Sequence, residues 1–178
     1  MTNYRRSRVA GATYFFTVNL AERSQSLLIE HVASLRTAFR NVRVGHPFAV
    51  DAIVVLPDYL HAVWTLLPDD SDFALRWRLV KSTFSRGLPH TERRSASRQA
   101  KHERGIWQRR YWEHLIRDDA DFSRHVDYIH MNPVKHGLVN RVADWPHSSF
   151  HRYVNAGILP IDWAGDTAFE EVGYGERE

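Results

Sequence analysis

Two short stretches carry residue types that can do chemistry. The first is PDYLHAVWTL (57–66), where Tyr59 and His61 stand two apart in a run of strand-forming residues. Side chains two apart on a strand share a face. A His-x-His pair there would be half of a divalent-metal site; here tyrosine takes the first place. The second stretch is HVDYIHMNPVKHGLV (125–139). Tyr128 and Asn132 are four apart, so on a helix they share a face, joined by His125 and Lys135. A phenol can serve as the nucleophile of covalent catalysis. Attack on a phosphodiester also needs the phosphoryl charge neutralised, by a metal or by a cationic side chain. His61 and Asn132 could hold such a metal, and Lys135 could supply a positive charge. The same spacing also suits a polar, solvent-facing helix side with Tyr128 half-buried, and spacing alone leaves both readings open.

These residues need elements to position them. ATYFFTVNL (12–20) is aromatic and β-branched, which reads as a strand. Residues 24–44 carry apolar side chains at 27, 28, 32, 35, 39 and 42, near helical spacing. FAVDAIVVL (48–56) and YLHAVWTLL (59–67) read as two strands joined at Pro57–Asp58, an antiparallel hairpin. Residues 71–87 are helical in pattern, 106–116 a short strand or extended segment, and 118–136 helical, with Asp118 at the start and Gly137 just past the end. The order β-α-β-β-α-β-α predicts an α+β, ferredoxin-like fold: an antiparallel sheet with helices packed on one face. Residues 90–105, polar and Arg-rich without apolar periodicity, read as a mobile loop or arm. One domain over 1–154 and an acidic, Gly/Pro-punctuated tail over 155–178 are expected.

The totals narrow the function. With 178 residues, 43% of them hydrophobic and 12% aromatic, the chain can build a proper core. It has no cysteine, which excludes disulfides and thiolate metal sites and fits a reducing cytoplasm. No apolar run approaches a membrane span, and the start shows no secretory signal, so no membrane partner is expected. From Arg76 to Arg110 there are eleven Lys/Arg against two acids, Glu92 and Glu103. Such a block points to a polyanion, nucleic acid first, with a solvated Arg-rich loop as the alternative. Arg76, Arg78, Lys81 and Arg86 on one predicted helix, with Arg109 and Arg110 further on, are candidate phosphate contacts. Glu113 is a candidate for placing a water or ligand, and His125 for assisting Tyr128. Trp107, Trp112 and Trp145 read as core.

The motifs VVLPDYLHAVWTL, RWRLVKSTFSR, GIWQRRYWEHLIRDDADFSRHVDYIHMNPVKHGLV and DWPHSSFHRYV, in this order, resemble the REP-associated tyrosine transposases. These are a bacterial branch of the single-tyrosine HUH transposases, and the match runs from NYRR near the start to SSFHRYV (148–154). The resemblance implies a ferredoxin-like nuclease that cuts single-stranded DNA beside palindromic REP hairpins. It places the attacking tyrosine at Tyr128, which would form a 5′-phosphotyrosine link and release a 3′-hydroxyl. It places metal ligands at His61 and Asn132, with Mg²⁺ or Mn²⁺ as the ion. It makes Tyr4, Arg5 and Arg6 candidates for reading bases next to the hairpin. It implies a cytoplasmic, nucleoid-associated monomer, with the shared-site dimer of the broader superfamily as the alternative. Tyr59 departs from the pattern, because the family has histidine there. A neutral phenol, with a pKa near about 10, is a poor metal ligand. Two rival functions follow: a hairpin-binding protein with reduced or no cleavage, and an RNA-binding protein of similar fold, although the chain lacks the aromatic-rich signature of the latter.

Overall fold

The structure, a computed structural model, describes residues 8–165. Tyr4, Arg5 and Arg6, the candidate base-reading residues, lie outside them. Four strands, β1 (Thr13–Asn19), β2 (Phe48–Val55), β3 (Tyr59–Leu66) and β4 (Trp112–Leu115), form one sheet in the order β2-β3-β1-β4. Every neighbouring pair is antiparallel. This is the ferredoxin-like sheet expected from the sequence. Its helices are α1 (Leu27–Glu30), α2 (Val32–Gly45), α3 (Phe73–Arg86), α4 (Ala96–Ala100), α5 (Asp119–Lys135) and α6 (Phe150–Asn155).

The expectation that helices cover one face is corrected. Tyr14, Phe16 and Val18 of β1 and Leu60, Ala62 and Trp64 of β3 pack with Phe39 of α2 and with Phe73 and Trp77 of α3. The Trp64 and Trp77 rings stack 4.1 Å apart in this core. On the opposite face, Phe15, Val54, Tyr59 and Val63 pack against Val126, Tyr128 and Ile129 of α5. The central strands β1 and β3 are therefore buried on both sides. Their near-continuous apolar sequences are the trace of this, since a strand with one wet face would alternate.

Two further expectations change, and one is made specific. The helix over 24–44 breaks at His31 into α1 and α2. The extended stretch 106–116 forms strand only at Trp112–Leu115, with Trp107 bridging to Leu20. The supposed mobile arm 90–105 contains α4, capped by the Ser95 side chain on the Arg98 amide. Arg104 holds that segment by donating to the carbonyls of Leu88 and Pro89 and to the Glu92 carboxylate. Beyond α6, the Trp163 ring lies 6.0 Å from those of His130 and Phe150, so the described residues after 155 still meet the domain.

Local signals set the ends of α5. The Asp118 side chain accepts the Asp121 amide, and two acidic residues in the first turn complement the helix dipole. At the other end Gly137 adopts φ +66°. The amides of Gly137 and Leu138 then bond back to the carbonyls of Val134 and Pro133, the Schellman pattern, which a side chain at 137 would strain.

Arg76 is not a DNA contact but a buried tie. It is 1% exposed. Its guanidinium donates to the carbonyls of His46, Pro47 and Asp72 and to the Asp70 carboxylate, which fixes the α2–β2 corner to the start of α3. Arg76→Met should lower stability in urea by about 3 kcal/mol, because several buried acceptors lose their donor. It should leave DNA affinity of the folded chain unchanged; a parallel loss of affinity would return Arg76 to the interface.

His130 lies on the side of α5 that meets α6. It is fully buried, its Nε2 sits 3.0 Å from the Ser149 hydroxyl, and its ring packs edge-on to Tyr153. Burial pushes its pKa down to about 4, helped by Arg152 and His151. The unfolded chain therefore takes up a proton near pH ~6.5 that the folded chain refuses until about pH 4. Stability should fall as pH drops through that window, by about 3 kcal/mol from this residue. His130→Gln should flatten the pH profile of urea midpoints by one proton's worth; an unchanged slope would refute the assignment.

Candidate active site

The β1–β3 register places Thr17 opposite His61, and the parity of β3 puts Tyr59 and His61 together on the α5 side. His61 is fully buried, with Nδ1 2.9 Å from the Thr17 hydroxyl. From α5 come Tyr128, 3% exposed, and Asn132, fully buried. The polar side of the helix faces the sheet, so the solvent-facing alternative for these residues is set aside. The Tyr128 and His61 rings are 5.3 Å apart, and those of His61 and Tyr59 5.1 Å. The Tyr59 hydroxyl donates to Oδ1 of Asn132 at 3.1 Å. Lys135, exposed at the end of α5, donates to the Tyr128 hydroxyl at 3.2 Å and lies 4.7 Å from the ring centre. At the rim, the Arg23 guanidinium sits 5.4 Å from the Tyr59 ring centre and pairs with Asp58 at 2.6 Å.

The structure thus brings Tyr59, His61, Tyr128, Asn132 and Lys135 together. It separates Glu113 from them. Glu113 pairs with Phe16 in the β1–β4 register, and so faces the α2–α3 core on the other side of the sheet. Its candidate role of placing a water or ligand at this site is withdrawn.

His125 joins a neighbouring cluster instead. His114 Nε2 lies 2.9 Å from the Asp121 carboxylate, and His125 Nδ1 lies 3.3 Å from the other carboxylate oxygen. These three residues bring possible ligand atoms within 4.8 Å of one another, a potential metal-binding group. The two imidazole rings, however, stack at 4.7 Å and 17°. A ligand ring must hold its metal near its own plane, and two stacked, near-parallel planes do not meet at one ion. The carboxylate is also already engaged by the Arg117 amide and by Arg124. Burial opposes its charge, yet the His114 hydrogen bond, the Arg117 amide and the nearby imidazoles outweigh that and hold Asp121 well below the usual carboxylate range. Burial also lowers the pKa of His125. In this arrangement the cluster ties β4 to the first turn of α5.

The site between β3 and α5 does not fit a divalent ion as the family pattern would have it. Two neutral donors remain, His61 and Asn132, and the amide oxygen of the second accepts the Tyr59 hydroxyl. Small divalent ions such as Mg²⁺ demand near-ideal oxygen geometry, and a neutral phenol that is itself donating a hydrogen bond supplies little.

A second candidate surface lies on the other side of the sheet. Arg78, Lys81, Arg86, Arg98, Arg104 and Arg109, with Trp107 and Tyr111, line a groove of about 670 Å³ between α3 and the α4 segment. Arg78, Arg86 and Arg109 are exposed, as is Arg110 nearby. Lys81 lies 5.2 Å from the Tyr111 ring centre and donates to the Gln108 carbonyl. Sequence reasoning missed Thr17, Arg23 and Asp121. The first two reach the site through register and turn geometry, whereas Asp121 carried a local signal, four residues before His125 on one helix.

Comparison with known proteins gives a consistent answer. No family model matches the chain. A REP-associated tyrosine transposase of Escherichia coli K12 is 46% identical over 179 residues, covering 99% of this chain and 98% of that protein. A Haemophilus influenzae protein named for the same group is 47% identical over 167 residues, covering 93% of this chain and 95% of its own length. A solved structure of a REP-associated tyrosine transposase bound to a REP hairpin superposes with a TM-score of 0.86 at 46% identity, covering 100% of this chain and 99% of the other. No helix among the described residues is long and apolar enough to cross a membrane. With relatives this similar over nearly its whole length, and with the tyrosine helix seated on the strand of Tyr59 and His61, the chain belongs to the REP-associated tyrosine transposases.

Proposed function

We propose that the chain cuts and rejoins single-stranded DNA beside a REP-type hairpin, with Tyr128 as nucleophile. The observation that carries this reading is the buried tyrosine on α5 with an ammonium group on its hydroxyl, beside His61 and Asn132. The Tyr128 oxygen would bond to the phosphorus as the bond to the 3′-oxygen breaks. The phenol gives up its proton, the departing 3′-oxygen takes one, and the downstream strand stays on the protein through a 5′-phosphotyrosine. Rejoining is the reverse attack by a 3′-hydroxyl. The cation beside Tyr128 favours both the phenolate and the phosphate that receives it. Asn132 ties the helix to Tyr59 of the strand, and the His61 ring lies beside that of Tyr128.

The partner follows from the relative solved with a REP hairpin and from the basic groove. Arg78, Lys81, Arg86, Arg109 and Arg110 suit the phosphates of the hairpin, and the half-buried Tyr111 beside them suits an unpaired base. Within one chain Tyr59, His61, Tyr128, Asn132 and Lys135 already meet, an arrangement that suits a monomer. The second reading, a hairpin-binding protein with reduced or no cleavage, is favoured by one observation: the Tyr59–Asn132 hydrogen bond in the place of a metal-ligand pair.

The groove predicts a salt signature. Each phosphate contact contributes a slope of about −0.9 to log K against log salt on duplex DNA. Joint Arg78→Gln and Arg86→Gln replacement should reduce the slope by up to about 2 and weaken hairpin binding at every sequence tested. An unchanged slope in fluorescence titrations would place the hairpin elsewhere.

The chemistry is tested with 3′-labelled single strands carrying the palindromes that flank this chain's own gene. Incubation with the native chain should give a labelled, protein-linked band that survives denaturation and is missing in Tyr128→Phe. A hairpin gel shift without a band, with the band appearing in Tyr59→His, would select the second reading. A band that persists in Tyr128→Phe would end the case for Tyr128.

A further inference from the structure

The mismatch at the strand–helix site points to how this chain handles phosphate charge. Resting on the strand-transfer reading, we propose that the phosphate beside Tyr128 is held directly by Lys135, with Arg23 at the rim, and that no divalent ion resides between His61 and Asn132. The ligand class is a phosphodiester oxygen of the single-stranded flank.

Three observations carry this. First, the Tyr59 hydroxyl donates to Asn132 Oδ1 at 3.1 Å, so a proton lies between the two oxygens that an ion at this place would have to share. Binding an ion there means breaking that bond inside a buried site, where Tyr59 is 5% exposed and Asn132 fully buried. A hydroxyl already donating this bond would have to turn away from Asn132 before its oxygen could face an ion. Second, Lys135 brings a unit positive charge to 3.2 Å from the Tyr128 oxygen and over its ring. A divalent ion close by would be repelled by that ammonium, and a phosphate oxygen attracted to it. Third, Lys135 is exposed, so a backbone phosphate arriving from solvent meets its ammonium beside the nucleophile. The Schellman end of α5 fixes where that side chain begins. Arg23, whose planar guanidinium suits phosphate geometry, stands over Tyr59 on the adjoining side.

The test uses the full chain and two readouts that do not depend on cleavage. In calorimetry without DNA, Mn²⁺ should show no binding to the native chain that Asn132→Ala abolishes; this control separates any ion held at His114 and Asp121. Tyr59→His should create such binding, lost again on adding His61→Ala. In titrations with EDTA, a hairpin with a single-stranded flank should bind Lys135→Met about tenfold more weakly than the native chain, the loss of one charge-assisted hydrogen bond. A blunt hairpin should show no difference, and Lys135→Arg should retain most of the flank affinity. Saturable Mn²⁺ binding by the native chain that Asn132→Ala removes would overturn the proposal, as would equal flank affinity in Lys135→Met. Failure of both native and Tyr59→His chains to form the covalent adduct would instead refute tyrosine attack, and would leave these binding results to stand by themselves. Lys135 is exposed, so its variants keep the test open if Tyr59→His does not fold.

Discussion

The molecule depends on a helix that turns its polar side towards a β-sheet. Along α5, Asp121, His125, Tyr128, His130 and Asn132 are all buried, and each belongs to a type that costs free energy when it loses water without a partner. The fold answers with one partner from each neighbouring element. His114 of β4 meets Asp121, Tyr59 of β3 meets Asn132, and Ser149 meets His130. Lys135, at the end of the helix, meets Tyr128. The apolar residues Val126 and Ile129 supply attraction between helix and sheet, while the polar pairs determine the rotation at which the helix settles. A tyrosine placed by so many simultaneous conditions has little freedom to wander.

The sheet meets the same condition from its own side. β1 and β3 are buried on both faces, so each residue's parity decides whether it belongs to the largely apolar core of α2 and α3 or to the layer of tyrosines and imidazoles under α5. Phe15 and Phe16 are adjacent in sequence and serve different layers. The division separates an aromatic packing layer from a polar one. The stacked tryptophans and the buried Arg76 belong to the first, and the tyrosines and imidazoles to the second.

How much of this was legible in the sequence follows from how local each signal is. The 48–66 hairpin and the ends of α5 rest on turn residues, a capping aspartate and Gly137, all readable from neighbours in the chain. The pairing of Tyr128 with Asn132 rests on helical spacing and was legible too. The two-sided burial of β1 was written in its unbroken apolar run, yet such a run also suits an ordinary core strand. Glu113 and Arg76 were misplaced for one reason: a charged type says nothing about which side of an element faces water. Residues 111–116 carry apolar groups at both parities, so only the pairing with β1 assigns Glu113 to the α2–α3 side. Arg76 sits among arginines that are exposed, and only the carbonyls of His46 and Pro47, thirty positions away in the chain, make it a structural tie. Thr17 was invisible because its role is created by cross-strand register with His61.

Tyr59 shows how one exchange of residue type changes the character of a site without dismantling it. A histidine at this position would present a lone pair towards Asn132; a tyrosine presents a proton. The first arrangement places two acceptors face to face and calls for a cation between them. The second is complete as it stands, because the hydroxyl donates where the amide oxygen accepts. The link between β3 and α5 that an ion would otherwise form is then made within the protein, and the helix is held on the sheet before any ligand arrives. What the tyrosine cannot provide is positive charge. An ammonium group rests on the Tyr128 hydroxyl and a guanidinium stands over the Tyr59 ring, so on the proposed reading structure and charge, which a single ion would supply together, are divided between Tyr59 and these two cations.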